Sequence, residues 1–302
     1  MTIVVTGGTG FLGKNLQKIH PEYVYLSSKD YDLTESVDCV GMIDELKPDA
    51  IIHLAGFVGG IKDNSSRQAE YFYKNVAMNT NLIHEAYLCG VPRMLCALST
   101  CAFPDVVSEY PFTEKDIFNG PPAETNFSYG YAKRMMHVQC MAYRKQYGAN
   151  YSTFCPCNLY GPGDHFNSDK GHFVADLVTK FFSCDSAEFL GTGAPLRQFL
   201  YVKDLAWIIP QLLENHNSDL PLIVAPNENL SIKELIEQAL EELSWYRYGL
   251  KPFNYSFTGQ LDGQYRKDGS NKELLKLIGD FSFIPFKAGI QETAISYAHT
   301  HV

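Results

Sequence analysis

The sequence predicts an α/β protein: a doubly wound parallel sheet in the first half, with a smaller C-terminal α/β lobe behind it. Three observations carry this. From residue 1 to about residue 160, short β-branched runs alternate with segments of helical period. A glycine-rich turn joins the first strand to the first helix. Beyond about residue 160 the alternation loosens. Strands separated by helices lie parallel, with right-handed crossovers, so the first half is a Rossmann-type unit.

The elements follow in order. Thr2 to Thr6 (TIVVT) is a buried strand, broken by Gly7-Gly8-Thr9-Gly10. A helix then carries Phe11, Leu12, Leu16 and Ile19. Tyr23 to Leu26 is the second strand. The next helix carries Val37, Val40, Ile43 and Leu46 and is stopped by Pro48-Asp49. Ala50 to Leu54 is the third strand, Gln68 to Leu88 a long helix, and Arg93 to Leu98 the fourth strand. A helix from Ser128 to Tyr147 and a strand from Tyr151 to Cys155 complete the unit. Asn158 to Lys170, with Gly161, Pro162 and Gly163, is expected as a loop. Helices follow near Lys203–Glu214, Ser231–Leu243 and Phe286–Ala298, with weaker strands near Ala187–Leu190, Pro221–Ala225 and Phe253–Phe257. The expected division is 1–160 and 161–302, with no linker and the lobes interleaved.

Composition narrows the class. The 302 residues are 45% hydrophobic and 20% charged, an ordinary globular balance. A net charge of −9 argues against nucleic acid as a partner, which needs a basic face. No apolar run approaches a membrane span, and the first residues are a strand rather than a secretory leader. None of the eight cysteines forms a C-x-x-C pair, so no metal is expected. Most have apolar neighbours, as buried thiols do, and the expected compartment is the reducing cytoplasm.

Gly7, Gly10 and Gly13 form G-x-x-G-x-x-G between a strand and a helix. Such glycines let backbone approach a pyrophosphate, whose charge the helix N-terminus meets with free N–H groups. The end of the second strand then selects the cofactor. An acidic residue there holds a ribose 2′-hydroxyl. Here the segment is Leu26-Ser27-Ser28-Lys29-Asp30. Two hydroxyls and a lysine suit a 2′-phosphate, so NADP is expected, while Asp30 keeps NAD open.

Tyr129-Gly130-Tyr131-Ala132-Lys133 contains Y-x-x-x-K at the start of a helix. Spacing i, i+4 puts both side chains on one face. The Lys133 ammonium is expected to lower the Tyr129 pKa and make it a general acid for carbonyl reduction. Tyr131 lacks a matching lysine, because position 135 is Met. Ser99 ends the fourth strand, where ligands of open parallel sheets bind, and can donate to a substrate oxygen.

Glycine loop, strand-end serine and Y-x-x-x-K, in this order and spacing, resemble the extended short-chain dehydrogenase/reductase family. Further segments are similar to its GDP-L-fucose synthases: His53-Leu54-Ala55-Gly56-Phe57-Val58-Gly59-Gly60, Leu98-Ser99-Thr100-Cys101-Ala102-Phe103-Pro104, Asn158-Leu159-Tyr160-Gly161-Pro162-Gly163-Asp164-His165-Phe166, and Arg197-Gln198-Phe199. The resemblance implies conversion of GDP-4-keto-6-deoxy-D-mannose to GDP-L-fucose, by 3,5-epimerisation and then NADPH-dependent 4-keto reduction. The alternative is another extended short-chain enzyme acting on a nucleotide sugar, such as a 4-epimerase holding NAD.

The same resemblance assigns roles. Tyr129, Lys133 and Ser99 would serve reduction, and Cys101 and His172 would exchange protons in epimerisation, as a thiolate and an imidazolium can. The cofactor would touch Gly7, Gly8, Thr9, Gly10, Phe11, Leu12 and Gly13 in the loop, and Ser28 and Lys29 beside it. It would also touch Leu54, Ala55, Leu98, Pro156, Asn158, Leu159 and His172. Lys180, Arg197, Asp262 and Lys267 would bind the nucleotide sugar. On a helix Lys180 would lie about 12 Å beyond His172 along one side. Two positions depart from the pattern: Leu190 stands where many bacterial members have Trp, and Thr9 where some have Arg. A homodimer built on the helices Gln68–Leu88 and Ser128–Tyr147 is also implied.

Overall fold

The computed structural model describes residues 1–166, 172–247, 251–260 and 262–301. The chain runs β1 (Ile3–Thr6), α1 (Phe11–Ile19), β2 (Val24–Leu26), α2 (Ser36–Leu46), β3 (Ala50–His53), α3 (Ile61–Ser66), α4 (Gln68–Leu88), β4 (Arg93–Ala97), α5 (Phe127–Tyr147) and β5 (Asn150–Pro156). It continues with β6 (Asn158–Tyr160), α6 (Phe173–Ser183), β7 (Ser186–Phe189), β8 (Leu196–Arg197), β9 (Phe199–Tyr201), α7 (Val202–Asn215) and β10 (Leu222–Val224). The last elements are β11 (Leu230–Ser231), α8 (Ile232–Leu243), β12 (Asn254–Phe257), β13 (Arg266–Lys267), α9 (Lys272–Ile278) and α10 (Phe286–His301).

Six strands form the main sheet in the order β10-β5-β4-β3-β1-β2, and every pairing in it is parallel. Strands β1, β3 and β4 are buried at every position, which is why their middles read as apolar on both faces rather than alternating. Helices α2, α4 and α5 pack on one another in a row, and α1 packs on α7. The strand order reverses between β1 and β3, the switch point where such sheets open a ligand crevice.

Two features of the second half bear on the site. Strand β10 lies beyond residue 160 yet pairs with β5 in the main sheet, through Leu222–Phe154 and its neighbours. Residues 158–160, expected in a loop, form β6, which pairs with β9. Asn158 ties it down by donating its side-chain amide to the Gln198 carbonyl at 2.9 Å. Gly161, Pro162 and Gly163 directly after these three residues read as a loop and mask the short strand. Around β6 and β9 a second apolar core gathers Tyr160, Phe181, Phe199, Phe286 and Tyr297, separate from the core beneath the main sheet.

Candidate active site

The glycine turn is built for close contact. Gly7 has φ +72°, a left-handed conformation, and a Cβ there would come within 2.7 Å of the Ala55 nitrogen. The turn after β1 therefore presses on the turn after β3, across the switch point. A Cβ at Gly13 would lie 2.5 Å from the carbonyl oxygens of Gly7 and Gly8. Gly8 donates its N–H to the Leu26 carbonyl at 2.7 Å, bringing the end of β2 alongside. Gly10 caps α1 with no side-chain bond, so the first amides of that helix stay available for an anion. These features fit a dinucleotide pyrophosphate.

At the end of β2, Ser28 and Lys29 are exposed. Ser27, expected to help hold a 2′-phosphate, instead donates both its hydroxyl and its amide to Asp30 Oδ2 at 2.7 Å. The serine is bound into a local turn because a carboxylate three residues on outcompetes water for its donors. Those bonds hold the Asp30 carboxyl below the usual carboxylate range. Ser28 and Lys29 are then the groups left for a 2′-phosphate.

The carboxyl ends of β3, β4 and β5 carry Leu54, Ala55, Leu98, Ser99 and, past Pro156, Asn158 and Leu159. Ser99 accepts the Cys101 amide at 3.2 Å, and its hydroxyl reaches both the Tyr129 phenol and the Cys101 thiol. Helix α5 approaches this turn because position 130 is glycine: a Cβ there would run into the Cys101 carbonyl oxygen. The glycine inside Tyr129-Gly130-Tyr131 thus brings the phenol to the serine.

Lys133 corrects one expectation. Its ammonium is buried beside Gly56 and donates to the Ala97 carbonyl at 2.9 Å, and burial pushes its pKa down to about 8. The largest influences on Tyr129 come from elsewhere. Burial pushes the Tyr129 phenol well above its ordinary value, negative charge on Cys101 adds to this, and Ser99 pulls the other way. The expected lowering assumed a solvated phenol facing the ammonium, whereas desolvation dominates here. The phenol is held protonated, the form that can donate.

Cys101 is the opposite case. Burial alone would push its thiol up. The Lys267 ammonium, donating to Cys101 Sγ at 3.1 Å, the Ser99 hydroxyl and the Arg197 guanidinium outweigh it, so the net direction is down. Lys267, expected on the nucleotide sugar, is buried against the thiol. The other cysteines nearby, Cys155 and Cys157, are pushed up by burial.

His172 caps α6 and keeps 43% of its side chain exposed. Its Nδ1 lies 3.4 Å from Oδ1 of buried Asp164, and that bond raises its pKa. Asp164 Oδ1 also accepts the His165 amide at 2.7 Å, and its Oδ2 has no partner among the described residues. The Asp164 partnership was not legible in sequence, although Asp164 stands in the same motif.

The remaining candidates form a framework. Lys180 sits over the Phe189 ring and pairs with Asp176 at 2.7 Å. Arg197 is spent largely on backbone, donating to the carbonyls of Leu196, Gln264 and Tyr265. Asp262 accepts the amide and hydroxyl of Thr192, fixing the turn after β7. Leu190 is exposed at that turn. Gln264, which the sequence did not single out, donates to the carbonyls of Pro104 and Asp105 and ties this framework to the segment after Cys101.

The NAD dependent epimerase/dehydratase family matches residues 3–224. A GDP-L-fucose synthase of Dictyostelium discoideum is 35% identical, over 97% of this chain and 93% of that protein. A probable GDP-L-fucose synthase of Drosophila melanogaster is 32% identical, over 99% and 98%. The crystal structure of a GDP-L-fucose synthetase from Naegleria fowleri bound to NADP superposes with a TM-score of 0.89 at 34% identity, covering 99% of this chain and 93% of that one. The chain belongs to the NAD dependent epimerase/dehydratase family and, within it, to the GDP-L-fucose synthases.

Proposed function

We propose that the chain converts GDP-4-keto-6-deoxy-D-mannose to GDP-L-fucose, inverting C3 and C5 and then reducing the 4-keto group with NADPH. The observation that carries this is the half-buried cluster of Ser99, Cys101 and Tyr129 just past one strand end, in a chain of this family. A reductase alone has no use for a thiol held toward thiolate beside its serine. NADP is the cofactor, held by the glycine loop, Ser28, Lys29 and Lys133 on the lobe 1–160, with the sugar gathered by the lobe 161–302. When bound, it supplies the hydride for C4.

The residues then divide the proton work. Cys101 takes the proton from a carbon adjacent to the carbonyl, and the electron pair moves onto the C4 oxygen, where Ser99 donates a hydrogen bond. His172 returns a proton to the opposite face of that carbon; Cys101 then loses its proton to solvent and His172 regains one from it, and the same exchange serves the second centre. Tyr129 gives its proton to the C4 oxygen in the reduction. Lys180, Arg197 and Asp262 shape the nucleotide-sugar side.

The test is to mix the protein with GDP-4-keto-6-deoxy-D-mannose and NADPH and identify the sugar by NMR. The expected product is GDP-L-fucose, with one NADPH oxidised per molecule. A reduced sugar retaining the starting configuration at C3 and C5, or turnover without NADPH use, would overturn the reading.

The same reading includes a homodimer on α4 and α5, which leave Tyr73, Leu88, Met135, Val138 and Tyr147 exposed. Sedimentation at micromolar concentration tests it. A cytoplasmic location fits buried thiols such as Cys39, Cys96, Cys140 and Cys155. No described helix is long and apolar enough to cross a membrane.

A further inference from the structure

We propose that Lys267 is the positioning residue of the epimerisation base: its ammonium holds the Cys101 sulfur as a thiolate before substrate arrives. The inference rests on the reading of Cys101 as that base.

The geometry is specific. Lys267 lies on β13, whose partner β8 sets Lys267 in register with Arg197. Cys101 lies 166 residues earlier, at the end of a main-sheet strand. Lys267 is only 8% exposed. A buried ammonium is costly unless it is paired. Among the described residues its hydrogen bond goes to Cys101 Sγ, at 3.1 Å. An ammonium can only donate, so the sulfur must accept, and a thiolate accepts far better than a thiol.

The surroundings favour the same charge. The titratable and charged groups that govern Cys101 or are governed by it are Lys267 and Arg197 from the β13–β8 pair, Tyr129 from α5 and Cys155 from β5. The first two are cations. Tyr129 and Cys155 are held neutral by burial. Arg197 gives most of its donors to backbone, so Lys267 makes the direct contact.

Proton transfer balances within this pair. The thiolate takes the proton from the carbon next to the 4-keto carbonyl and becomes a thiol. The electron pair passes to the C4 oxygen, and the Lys267 ammonium keeps its own protons throughout. Because β13 belongs to the small sheet and Cys101 to the end of the large one, the base is set only where the two sheets meet.

The competing role is a grip on the diphosphate of the substrate. Cys101 alkylation by iodoacetamide in ligand-free protein, followed against pH by peptide mass spectrometry, separates the two. In Lys267→Gln the profile should move to higher pH, and the rate at pH 7 should fall about tenfold, the effect of removing an opposite charge at this distance. Lys267→Arg should restore most of the rate. Solvent-deuterium entry at C3 and C5 should follow the same profiles. An unmoved alkylation profile with a raised KM for the nucleotide sugar would overturn the proposal in favour of a grip. Should Lys267→Gln fail to fold, Lys267→Met and Lys267→Arg decide by the same profile: a shift in Met and none in Arg supports the assignment, and equal profiles refute it. A shifted profile in protein that does not turn over the 4-keto sugar would keep the Lys267–Cys101 assignment and overturn the substrate reading instead.

Discussion

Replacing Lys133 by methionine should make the cofactor-free protein more stable while removing its reductase activity. The Lys133 side chain is almost wholly buried, and burial takes its pKa from 10.5 to about 8. At roughly 1.4 kcal/mol per pH unit, this is about 3 kcal/mol of disfavoured charge at neutral pH. Methionine fills a similar volume without the charge. It also abandons the bond from the charged ammonium to the Ala97 carbonyl, a loss of about 2 kcal/mol. The net gain is then about 1 kcal/mol, a rise in Tm of roughly 2 °C. The sign with pH follows from the direction. A lysine whose folded pKa lies below its unfolded value destabilises fully while both states are protonated, below pH about 8. That cost fades as pH rises from about 8 toward 10.5, so the advantage of the variant should shrink across this window. Thermal unfolding at pH 7 and pH 10 without NADPH measures both effects. Equal or lower stability of Lys133→Met at pH 7, or an advantage independent of pH, would refute the reasoning.

Three further outcomes are expected. Asp164→Asn removes the carboxylate that raises the His172 pKa. The imidazole should titrate at lower pH by NMR, and the alkaline limb of deuterium exchange should move down with roughly tenfold lower exchange at pH 8; an unmoved His172 titration counts against the pair. Gly13→Ala puts a methyl 2.5 Å from two backbone oxygens that cannot swing away. It should cost about 1–3 kcal/mol in denaturant unfolding and weaken NADPH binding by calorimetry; wild-type affinity would contradict the cradle. Lys29→Ala should weaken NADPH about tenfold while sparing NADH, since a charged hydrogen bond to phosphate is lost; an unchanged preference in fluorescence titration would exclude the 2′-phosphate assignment.

What the sequence by itself determined was local. Glycine chemistry after a β-branched run announced the turn from β1 to α1, because only a residue without Cβ tolerates φ +72° against the Ala55 backbone. The i, i+4 spacing placed Tyr129 and Lys133 on one helix face, since 3.6 residues make a turn whatever surrounds it. Helical period marked α4, observed at Gln68–Leu88 as expected. Strands β6, β8 and β13, of two or three residues beside glycine, proline or charged positions, were invisible, whereas β2 and β10, equally short, showed as apolar runs. Long-range pairing was equally hidden: nothing near Leu222 says that β10 will enter the main sheet, and nothing near Arg266 says that Lys267 will meet a thiol 166 residues away. Protonation was decided there too. A lysine four residues along suggests an acidic Tyr129, but burial of the phenol reverses the direction, and the ammonium that matters to Cys101 comes from another sheet. Spacing along a chain sets which groups can share a face. Desolvation and the charges folded against them set what those groups can do.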